Sequence, residues 1–504
     1  MTKVKPHQRK RAWAPKTQSG CKTCRVRRVK CDETTPVCSK CFRGGYKCEG
    51  LAFSDSRLPH ERCMVIRSPR SSLTLLSSGD DSRTFDFFLA NGVSMLSNGS
   101  RCEFWEGLVV QIAHVNAAIF RSVVALSTLL EDFSRWKMNF GAGFQAPANE
   151  KTKSALKHYG LALRQTSAHL RGSESMNIFS LTSCLLFCYI ECLLGNVPAS
   201  AKLATAGLTI LSQAESARVA VDSPGPLRCF WPLFTRIDSF FIQLRRILAP
   251  DYRPPSTFLP IRTMPSSFSN IGEATFHLEL LVNASQRLCG SSGDESARIQ
   301  SLEAYRTHFV EWNAAFQQLA SHHELADESM RRSLCLCHIW RLHTQLNLFG
   351  PQDGSHQVEW DSHEQSFREL LSYASTFSEL DSGSGRGQLT SFSLGGGIFF
   401  PLSGLALRCR DPTMRRSAAS LLLNHSRAEG PLWGPIAARL FDKFVTIEEQ
   451  GLSPVTSSSD VPEWARIISP SARLRGKGNG ADISYARLMD LNSGERITVH
   501  DIVL

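Results

Sequence analysis

The 504-residue sequence lacks the features of secreted proteins, of membrane proteins and of several enzyme classes. Its amino terminus is basic and has no apolar stretch of the kind that a secretory signal needs. The longest apolar stretch, residues 178–197, is interrupted by Glu191, which favours a buried helix over a membrane span. A phosphate-binding loop, a G-x-S-x-G motif and an H-E-x-x-H motif are all absent. We therefore expect the 16 cysteines to be in a reducing compartment, where they pack in the core or bind metal.

The net charge is concentrated at one end of the chain. The whole sequence carries a formal charge of +11, from 57 Lys and Arg against 46 Asp and Glu. Residues 1–50 hold 14 of these bases and three of the acids, so the remaining residues are neutral, with 43 of each sign. A basic segment beside a neutral body is typical of binding to nucleic acid. The basic residues before the first cysteine also favour nuclear import or additional phosphate contacts. These residues are Lys3, Lys5, His7, Arg9, Lys10, Arg11 and Lys16.

Six cysteines lie at regular spacing inside this basic segment. They are Cys21, Cys24, Cys31, Cys38, Cys41 and Cys48. The pattern C-x2-C-x6-C occurs twice, and each half supplies three thiolates where tetrahedral zinc needs four. Two zinc ions therefore need two bridging thiolates, and the pseudo-symmetry of the repeat indicates Cys21 and Cys38, the first cysteine of each half. So short a segment cannot bury enough apolar surface to fold without its metal.

Two other uses of these cysteines stay open. A single zinc ion would be bound by the two cysteine pairs that are separated by two residues. Those four ligands are Cys21, Cys24, Cys38 and Cys41. Cys31 and Cys48 would then have no metal to bind. The second alternative is a disulfide framework, which a reducing compartment disfavours.

The segment GCKTCRVRRVKCDETTPVCSKCFRGGYKCEG, residues 20–50, resembles the fungal zinc cluster family (Zn₂Cys₆). The resemblance implies a short helix at the major groove of DNA. It implies that Arg28, where relatives usually carry Lys or Arg, reaches guanines of CGG-like half-sites through a bidentate contact to O6 and N7. Val26 and Val29 would turn inward on this helix. The other basic residues of the stretch would neutralise phosphates. These residues are Arg25, Arg27 and Lys30.

The family resemblance also implies a function. It implies a nuclear, sequence-specific regulator of RNA polymerase II transcription that is not an enzyme, with fungal secondary-metabolite gene clusters as expected targets. The implied partners are double-stranded DNA and the transcription machinery or co-regulators, without a membrane. A homodimer stays open, because no heptad pattern follows the cluster. With two zinc ions and six thiolates the amino-terminal region keeps a charge of about +9, so DNA binding should weaken steeply with salt.

Two alternative functions belong to other classes. The first is a zinc-dependent protein-interaction module on a helical scaffold, without sequence-specific DNA binding. The second is an enzyme within residues 84–450 that carries a DNA-tethering finger. If Arg28 reads DNA sequence, its mutation should relax DNA specificity, which the protein-interaction alternative does not predict. A pocket of converging titratable groups would favour the enzyme.

The periodicity of apolar residues predicts an all-α protein, because strands have little support in the pattern. We expect five segments: a basic disordered tail (1–20), the zinc cluster module (21–48), a linker (49–83), an all-helical regulatory region (84–450) and a carboxy-terminal tail (451–504). The helical region resembles the regulatory domain that is common behind these clusters in fungi. In it Trp105, Leu108, Val109 and Ile112 share one helix face. Further helices are predicted at 155–170, 178–194, 198–211, 299–316 and 330–348, and after the cap Asp411-Pro412.

Several residues outside the cluster are of metal-binding types but favour other roles. One helix face carries cysteines at intervals of four, with apolar neighbours that favour core packing over metal or redox sensing. They are Cys184, Cys188 and Cys192. The same interpretation applies to Cys335, Cys337 and His338. His322, His323 and Glu324 lack the spacing of a metalloprotease site and are predicted to form a surface turn.

Overall fold

A computed structural model of the chain has two compact units, residues 1–65 and 66–504. In the first unit it describes Thr23, Cys24, Arg27, Val29 and residues 38–46. In the second unit it describes residues 79–97, 102–133, 148–170, 177–216, 227–245, 251–255, 261, 263–288, 295–321, 327–351, 356–382, 391–425, 427–430, 434–475, 480–488 and 497–503.

In the first unit Thr23 and Cys24 are helical, and a second helical segment is α1 (Ser39–Arg43). This helix begins directly after Cys38 and is followed by a turn at Gly44 and Gly45. Gly45 has φ +67°, a conformation that favours glycine. The Tyr46 N–H then donates to the Cys41 carbonyl at 3.0 Å, which closes the turn. The turn therefore brings Tyr46 back toward the helix that carries Cys41.

The second unit is built from helices. The α-helices are α2 (Gly79–Phe87), α3 (Val93–Leu96), α4 (Val109–Ala113), α5 (Ala117–Phe133), α6 (Glu150–Leu170), α7 (Asn177–Leu193), α8 (Val197–Ser216), α9 (Phe230–Leu244), α10 (Ile271–Leu288), α11 (Glu295–Ser321), α12 (Glu328–Phe349), α13 (Glu364–Ser382), α14 (Phe399–Arg408), α15 (Pro412–Asn424) and α16 (Gly434–Glu449). Phe88–Gly92 and Phe104–Leu108 are π-helical, and Gln357–His363, Ser458–Asp460 and Glu463–Ala465 are 3₁₀-helical.

The predicted helices are confirmed, with ends that differ by a few residues. Helix α2 starts at Gly79, before the residue near 84 where apolar periodicity begins, because its first turn is acidic and polar. The predicted core face at Trp105 and Ile112 is fully buried, although the chain there passes from a π-helical turn into α4. Asp411 caps α15 as predicted, since its side chain accepts from the Met414 N–H at 2.8 Å.

The core of the second unit has an apolar centre and a satellite cluster. Helix α5 is buried on almost every side and packs against α6 and α7, and α7 packs against α8. In the satellite cluster Trp312 stacks on Phe316 with ring centroids 4.9 Å apart, and its Nε1–H donates to the Ala274 carbonyl. Among the described residues, no helix has both the length and the apolar character needed to cross a membrane.

Two small sheets interrupt the helical pattern. Strand β1 (Ser391–Ser393) pairs in parallel with β2 (Arg427–Glu429). Strands β3 (Ile468–Arg475), β4 (Gly480–Ala486) and β5 (Ile497–Val503) form an antiparallel sheet in the order β3-β4-β5.

The expectation that strands have little support is wrong for residues 468–503. Alternate residues of β4, namely Ala481, Ile483 and Tyr485, are buried, which is the period of two expected of a half-buried strand. That period is short and lies between polar segments, so it is a weaker signal than the helical periodicity of the rest of the chain. The protein remains mainly helical, as the sequence predicts.

Candidate metal centre and nucleic-acid interface

Three of the six regularly spaced cysteines lie together in the first unit. The Cys24 Sγ is 3.6 Å from the Cys38 Sγ and 3.8 Å from the Cys41 Sγ. All three sulfur atoms lie within 4.8 Å of one another, and all three side chains are buried. Because Cys24 belongs to one half of the repeat and Cys38 and Cys41 to the other, the two halves meet at these sulfurs.

The spacing of the sulfur atoms fits a zinc ion. Zinc–thiolate bonds of about 2.3 Å in a tetrahedron separate neighbouring sulfurs by about 3.8 Å. The distances from Cys24 to Cys38 and to Cys41, 3.6 and 3.8 Å, agree with that value. Soft thiolate ligands in a buried group are the set that zinc prefers. The described cysteines therefore fit zinc by ligand type and by geometry.

The backbone positions these sulfurs. The Cys41 N–H points at the Cys38 Sγ at 3.3 Å, because Cys38 stands directly before the first turn of α1. On the other half, the Val29 N–H donates to the Cys24 carbonyl at 3.1 Å, and the Arg27 N–H donates to the Thr23 carbonyl at 3.1 Å. Each described cysteine thus lies at a turn whose own hydrogen bonds fix the direction of the side chain.

The expectation that Val29 turns inward is wrong, because its side chain is 42% exposed. Its N–H bonds to the carbonyl five residues earlier, so the turn is wider than that of a regular α-helix. This wider turn moves Val29 off the inner face that a spacing of three residues predicts. Val26 lies outside the described residues.

Arg27 is the residue of the basic stretch that the structure describes, and it joins the two halves of the module. Its guanidinium carbon lies 3.5 Å from the centre of the Tyr46 ring. Tyr46 is half exposed, whereas Arg27 is only partly exposed and its Nη1 is buried. A stacked guanidinium has less freedom and keeps its donors in one plane. The sequence interpretation missed Tyr46, although the sequence shows an aromatic residue two positions before Cys48, a predicted ligand.

The other predicted site residues lie outside the described part of the chain. These are the ligands Cys21, Cys31 and Cys48 and the basic residues Arg25, Arg28 and Lys30. His322, His323 and Glu324, predicted to form a surface turn, also lie outside it. The described cluster of Cys24, Cys38 and Cys41 therefore accounts for three of the six predicted ligands.

The cysteines of α7 are part of the apolar core, as predicted. Cys188 and Cys192 are fully buried, and the Cys188 Sγ lies 3.2 Å from the Ser200 Oγ. Burial raises the pKa of the Cys184 thiol to about 11 and that of Cys188 to about 12. Thiols with such pKa values stay protonated at neutral pH, and a protonated thiol is a poor metal ligand.

The second predicted core group has the same character. Cys337 is buried, and burial raises the pKa of its thiol to about 12. Burial also lowers the pKa of His338 to about 4, and its ring stacks on Tyr373 with centroids 4.4 Å apart. His338 is therefore neutral at physiological pH and packs as a flat, mostly apolar ring.

Comparison with known proteins identifies the cysteine segment. The family model described as the fungal Zn(2)-Cys(6) binuclear cluster domain matches residues 19–57. The Zn(2)-C6 fungal-type transcription factor afumD of Aspergillus fumigatus is 58% identical over 33 residues, which is 6% of this chain and 9% of that relative. Transcription factor lfc1 of Flammulina velutipes is 37% identical over 78 residues, covering 15% of this chain and 27% of its own length.

A further similarity extends beyond the cysteine segment. The aspercryptin biosynthesis cluster-specific transcription regulator atnN of Emericella nidulans is 24% identical over 409 residues, covering 71% of this chain and 63% of that relative. The chain thus spans less than two thirds of the length of each of these relatives. All three are named as regulators or factors of transcription, and no solved structure matches the chain. Residues 19–57 are therefore a zinc-binding domain of the fungal Zn(2)-Cys(6) type, in a chain that is similar to one named fungal transcription regulator, atnN, over 71% of its length.

Proposed function

We propose that this chain is a nuclear, sequence-specific DNA-binding regulator of RNA polymerase II transcription and that it catalyses no reaction. The observation that carries the proposal is the buried group of Cys24, Cys38 and Cys41 inside a matched zinc cluster domain. The excess positive charge of the chain lies in residues 1–50, which contain these cysteines. A metal-folded module with this charge is suited to the phosphate backbone of DNA.

The metal would be two zinc ions held by six thiolates. Cys21 and Cys38 would bridge the ions, with the remaining ligands supplied by Cys24, Cys31, Cys41 and Cys48. Zinc supplies the cross-links that let so short a segment fold. The short distance from Cys24 to Cys41 also fits the single-ion set, because these two cysteines would bind different ions in the bridged arrangement. Metal analysis of the purified chain separates the two: two zinc ions per chain support the bridged arrangement, and one overturns it.

Sequence reading would come from the stretch between Cys24 and Cys31. Arg28 would contact O6 and N7 of guanine in a CGG-like half-site, since a guanidinium offers two parallel donors to that edge. Arg25, Arg27 and Lys30 would bind phosphates and set the position of the module on the duplex. The stack on Tyr46 supports this role for Arg27, because it gives a fixed orientation to a guanidinium whose residue remains partly exposed.

The helical unit would serve regulation. The similarity to atnN extends into this unit, and the name of that relative assigns it to one biosynthesis cluster. We extend that function to this chain as the regulation of a fungal secondary-metabolite gene cluster, with the transcription machinery or co-regulators as partners. A homodimer on paired half-sites fits the same arrangement.

The test is selection of DNA by the full-length, zinc-loaded chain from a randomised pool, followed by sequencing of the bound fraction. Enrichment of a CGG-like half-site is the expected result, and its copies in the selected sites would give the half-site spacing. Arg28→Ala should relax the preference at the guanines by about 1–3 kcal/mol while binding to DNA persists.

The control is Cys31→Ala, which removes a ligand and should abolish selection. Two bound zinc ions per chain without any enriched sequence would contradict DNA reading and favour a protein-interaction module. A motif that is selected equally by the Arg28→Ala variant would remove Arg28 from the recognition surface.

A further inference from the structure

The helical unit contains a cavity between three helices, α9, α10 and α12. Its volume is about 50 Å³, where about 10–15 Å³ is enough to hold one water molecule. Helix α10 packs against both α9 and α12, and the cavity lies along this junction. All the residues that line it are described and belong to the second unit.

Each of the three helices turns one complete face toward the cavity. The residues that α9 contributes are spaced at i, i+3, i+4 and i+7, starting from Arg236. The residues of α10 follow the same spacing from Thr275, and those of α12 from Ser333. This spacing is the one that puts four side chains on a single side of a helix. The cavity is therefore built by three helix faces, each two turns long.

The walls of the cavity are mostly apolar. Phe240, Leu278 and Val282 are buried, and Trp340 closes the α12 side. The Trp340 Nε1–H already donates to the Gly397 carbonyl at 3.0 Å, which fixes the indole ring against the wall. An apolar body with flat surfaces would be the best match to such walls.

The turn at residues 395–397 closes a further side. Gly395 has φ +82°, and a Cβ at that position would come within 3.0 Å of the Phe240 Cβ. Glu429 anchors the turn, since it accepts from the Phe399 N–H at 2.8 Å and from the Gly397 N–H at 3.2 Å. This wall is thus held by backbone hydrogen bonds.

One charged pair lies in the lining. The Arg236 Nε and Nη2 both donate to the Glu279 Oε1, at 2.8 and 2.7 Å. The Glu279 Oε2 is buried and has no hydrogen-bond partner within the part of the chain that the structure describes. Buried acceptors are almost always satisfied, so an unpaired oxygen in a cavity wall marks a place where a donor fits.

We propose that this cavity binds a small, uncharged, mostly apolar molecule that donates one hydrogen bond to the Glu279 carboxylate. The ligand is uncharged because Arg236 already balances Glu279, and a second cation would be buried without a partner. It is mostly apolar because the rest of the lining is. This site goes beyond DNA reading and is independent of it, since every residue that forms it lies in the second unit.

The chemistry of the lining is that of a binding site. Cys337 is the thiol in the wall, and burial raises its pKa to about 12, so the thiolate needed for covalent chemistry is scarce at neutral pH. The Glu279 carboxylate accepts hydrogen bonds from Arg236, which holds it in the wall. A reversible ligand suits these groups.

Indole is the probe, because it has a flat apolar body and a single N–H donor, and 1-methylindole is its match without the donor. Binding is measured by calorimetry and by the thermal midpoint of the full-length, zinc-loaded chain. We expect saturable binding of indole with a concentration-dependent rise in the midpoint, and binding of 1-methylindole that is at least about tenfold weaker. Equal affinity for the two probes, or no saturable binding of indole, overturns the proposal.

A variant that fills the cavity tests the location. Leu336 lines the cavity on α12 and is half-buried, so Leu336→Trp adds a ring into the space. Leu423→Trp is the control, because Leu423 is 48% exposed and does not line the cavity. Indole binding should be lost in the first variant and kept in the second, with both showing the circular dichroism of the parent. A folded Leu336→Trp variant that binds indole as the parent does also overturns the proposal. DNA selection should be unchanged in the Leu336→Trp and Leu423→Trp variants.

Discussion

The two units use the same residue type in opposite ways. Cys24 in the first unit and Cys188 in the second are both completely buried. Cys24 has two other sulfurs within 3.8 Å, whereas Cys188 lies in an apolar helix beside the Ser200 hydroxyl. The neighbours of Cys24 are those expected of a metal ligand, and Cys188 is a small core residue. Burial alone therefore does not distinguish a ligand from packing, and the distance to a second sulfur does.

The sources of stability differ in the same way. The first unit has too few apolar residues to fold by their burial, so we expect metal bonds to supply its cross-links. The second unit has an aromatic and aliphatic core, and it also buries charges in pairs. Arg410, Arg415 and Glu448 are all nearly or fully buried, and both arginines contact the Glu448 carboxylate. The two units should therefore respond to different perturbations.

Removal of one metal ligand gives the largest expected effect and tests this difference directly. Cys41→Ala takes away one of the three clustered sulfurs, so the amino-terminal unit should lose its zinc and its fold. We expect DNA binding to fall by at least about 100-fold, since a zinc site contributes on the order of 10 kcal/mol to folding. The helical circular dichroism and the thermal midpoint of the second unit should not change.

Cys192→Ala is the matched control, because Cys192 is equally buried but lies in α7. It should keep the zinc content and DNA binding of the parent and lower the free energy of unfolding of the helical unit by about 1 kcal/mol. Loss of zinc in the Cys192→Ala variant would contradict the distinction between cysteines that bind metal and cysteines that pack in the core.

The buried charges of the helical unit give the next largest effect. The Glu448 carboxylate binds the Arg410 Nη2 at 2.9 Å and the Arg415 Nη1 at 2.7 Å, and it accepts from the Ile467 N–H. Glu448→Gln would leave two buried guanidinium groups without a counter-charge. We expect the free energy of unfolding to fall by about 3–5 kcal/mol in urea titrations followed by circular dichroism.

The neighbouring residue supplies the control. Glu449 contacts Arg416 at 3.5 Å, and the Arg416 side chain is 63% exposed, so this ion pair is screened by water. Glu449→Gln should change the free energy of unfolding by less than about 1 kcal/mol. If Glu448→Gln and Glu449→Gln lowered the free energy of unfolding by similar amounts, the buried Glu448 network would contribute no more than the exposed ion pair.

Two buried carboxylates of the second unit, Glu429 and Glu448, should make its stability depend on pH in opposite directions. Burial raises the pKa of Glu429 to about 7 from its ordinary value of 4.5, and the backbone N–H groups of Phe399 and Gly397 offset only part of this. The stability contribution of such a group is full below about pH 4.5 and falls as the pH rises to about 7. For Glu448 burial also raises the pKa, but Arg410 and Arg415 outweigh it, so the net pKa is lowered and stability is lost as the pH falls.

The measurement is urea unfolding of the parent and of Glu429→Gln between about pH 5 and about pH 8. The glutamine does not titrate, so the stability of the parent relative to this variant should decrease with rising pH, by about 3 kcal/mol at most. Other titrating groups cancel in the difference. A difference that stays constant across this range would contradict the raised pKa of Glu429.

The smallest expected effect concerns the contact that joins the two halves of the zinc module. Tyr46→Leu removes the ring on which the Arg27 guanidinium stacks at 3.5 Å. An exposed cation–π contact contributes about 0.5–1 kcal/mol, so DNA affinity should fall about two- to fivefold for all sequences. Tyr46→Phe keeps the ring and should bind as the parent does. A change in the selected sequence in either variant would mean that Tyr46 contacts bases.

The sequence predicted local features better than contacts between distant residues. The long helices, the Asp411 cap and the buried face at Trp105 follow from periodicity and capping within a few residues. The sheet of residues 468–503 was missed because its alternation is short. In the cysteine segment the spacing indicated the ligands, whereas the stack of Arg27 on Tyr46 joins residues from different halves of the repeat and has no signature in spacing.

What the sequence determined by itself is the metal-binding segment and most of the helices. Zinc demands thiolates in a tetrahedron, so six cysteines at repeated intervals restrict the chemistry before any fold is known. Tertiary structure decided which buried charges pair and where three helix faces leave a cavity. Glu448 and Arg410 stand 38 positions apart, and Arg236 and Glu279 stand 43 apart. Such partners depend on how whole helices pack, and helical periodicity determines only which face of each helix is buried.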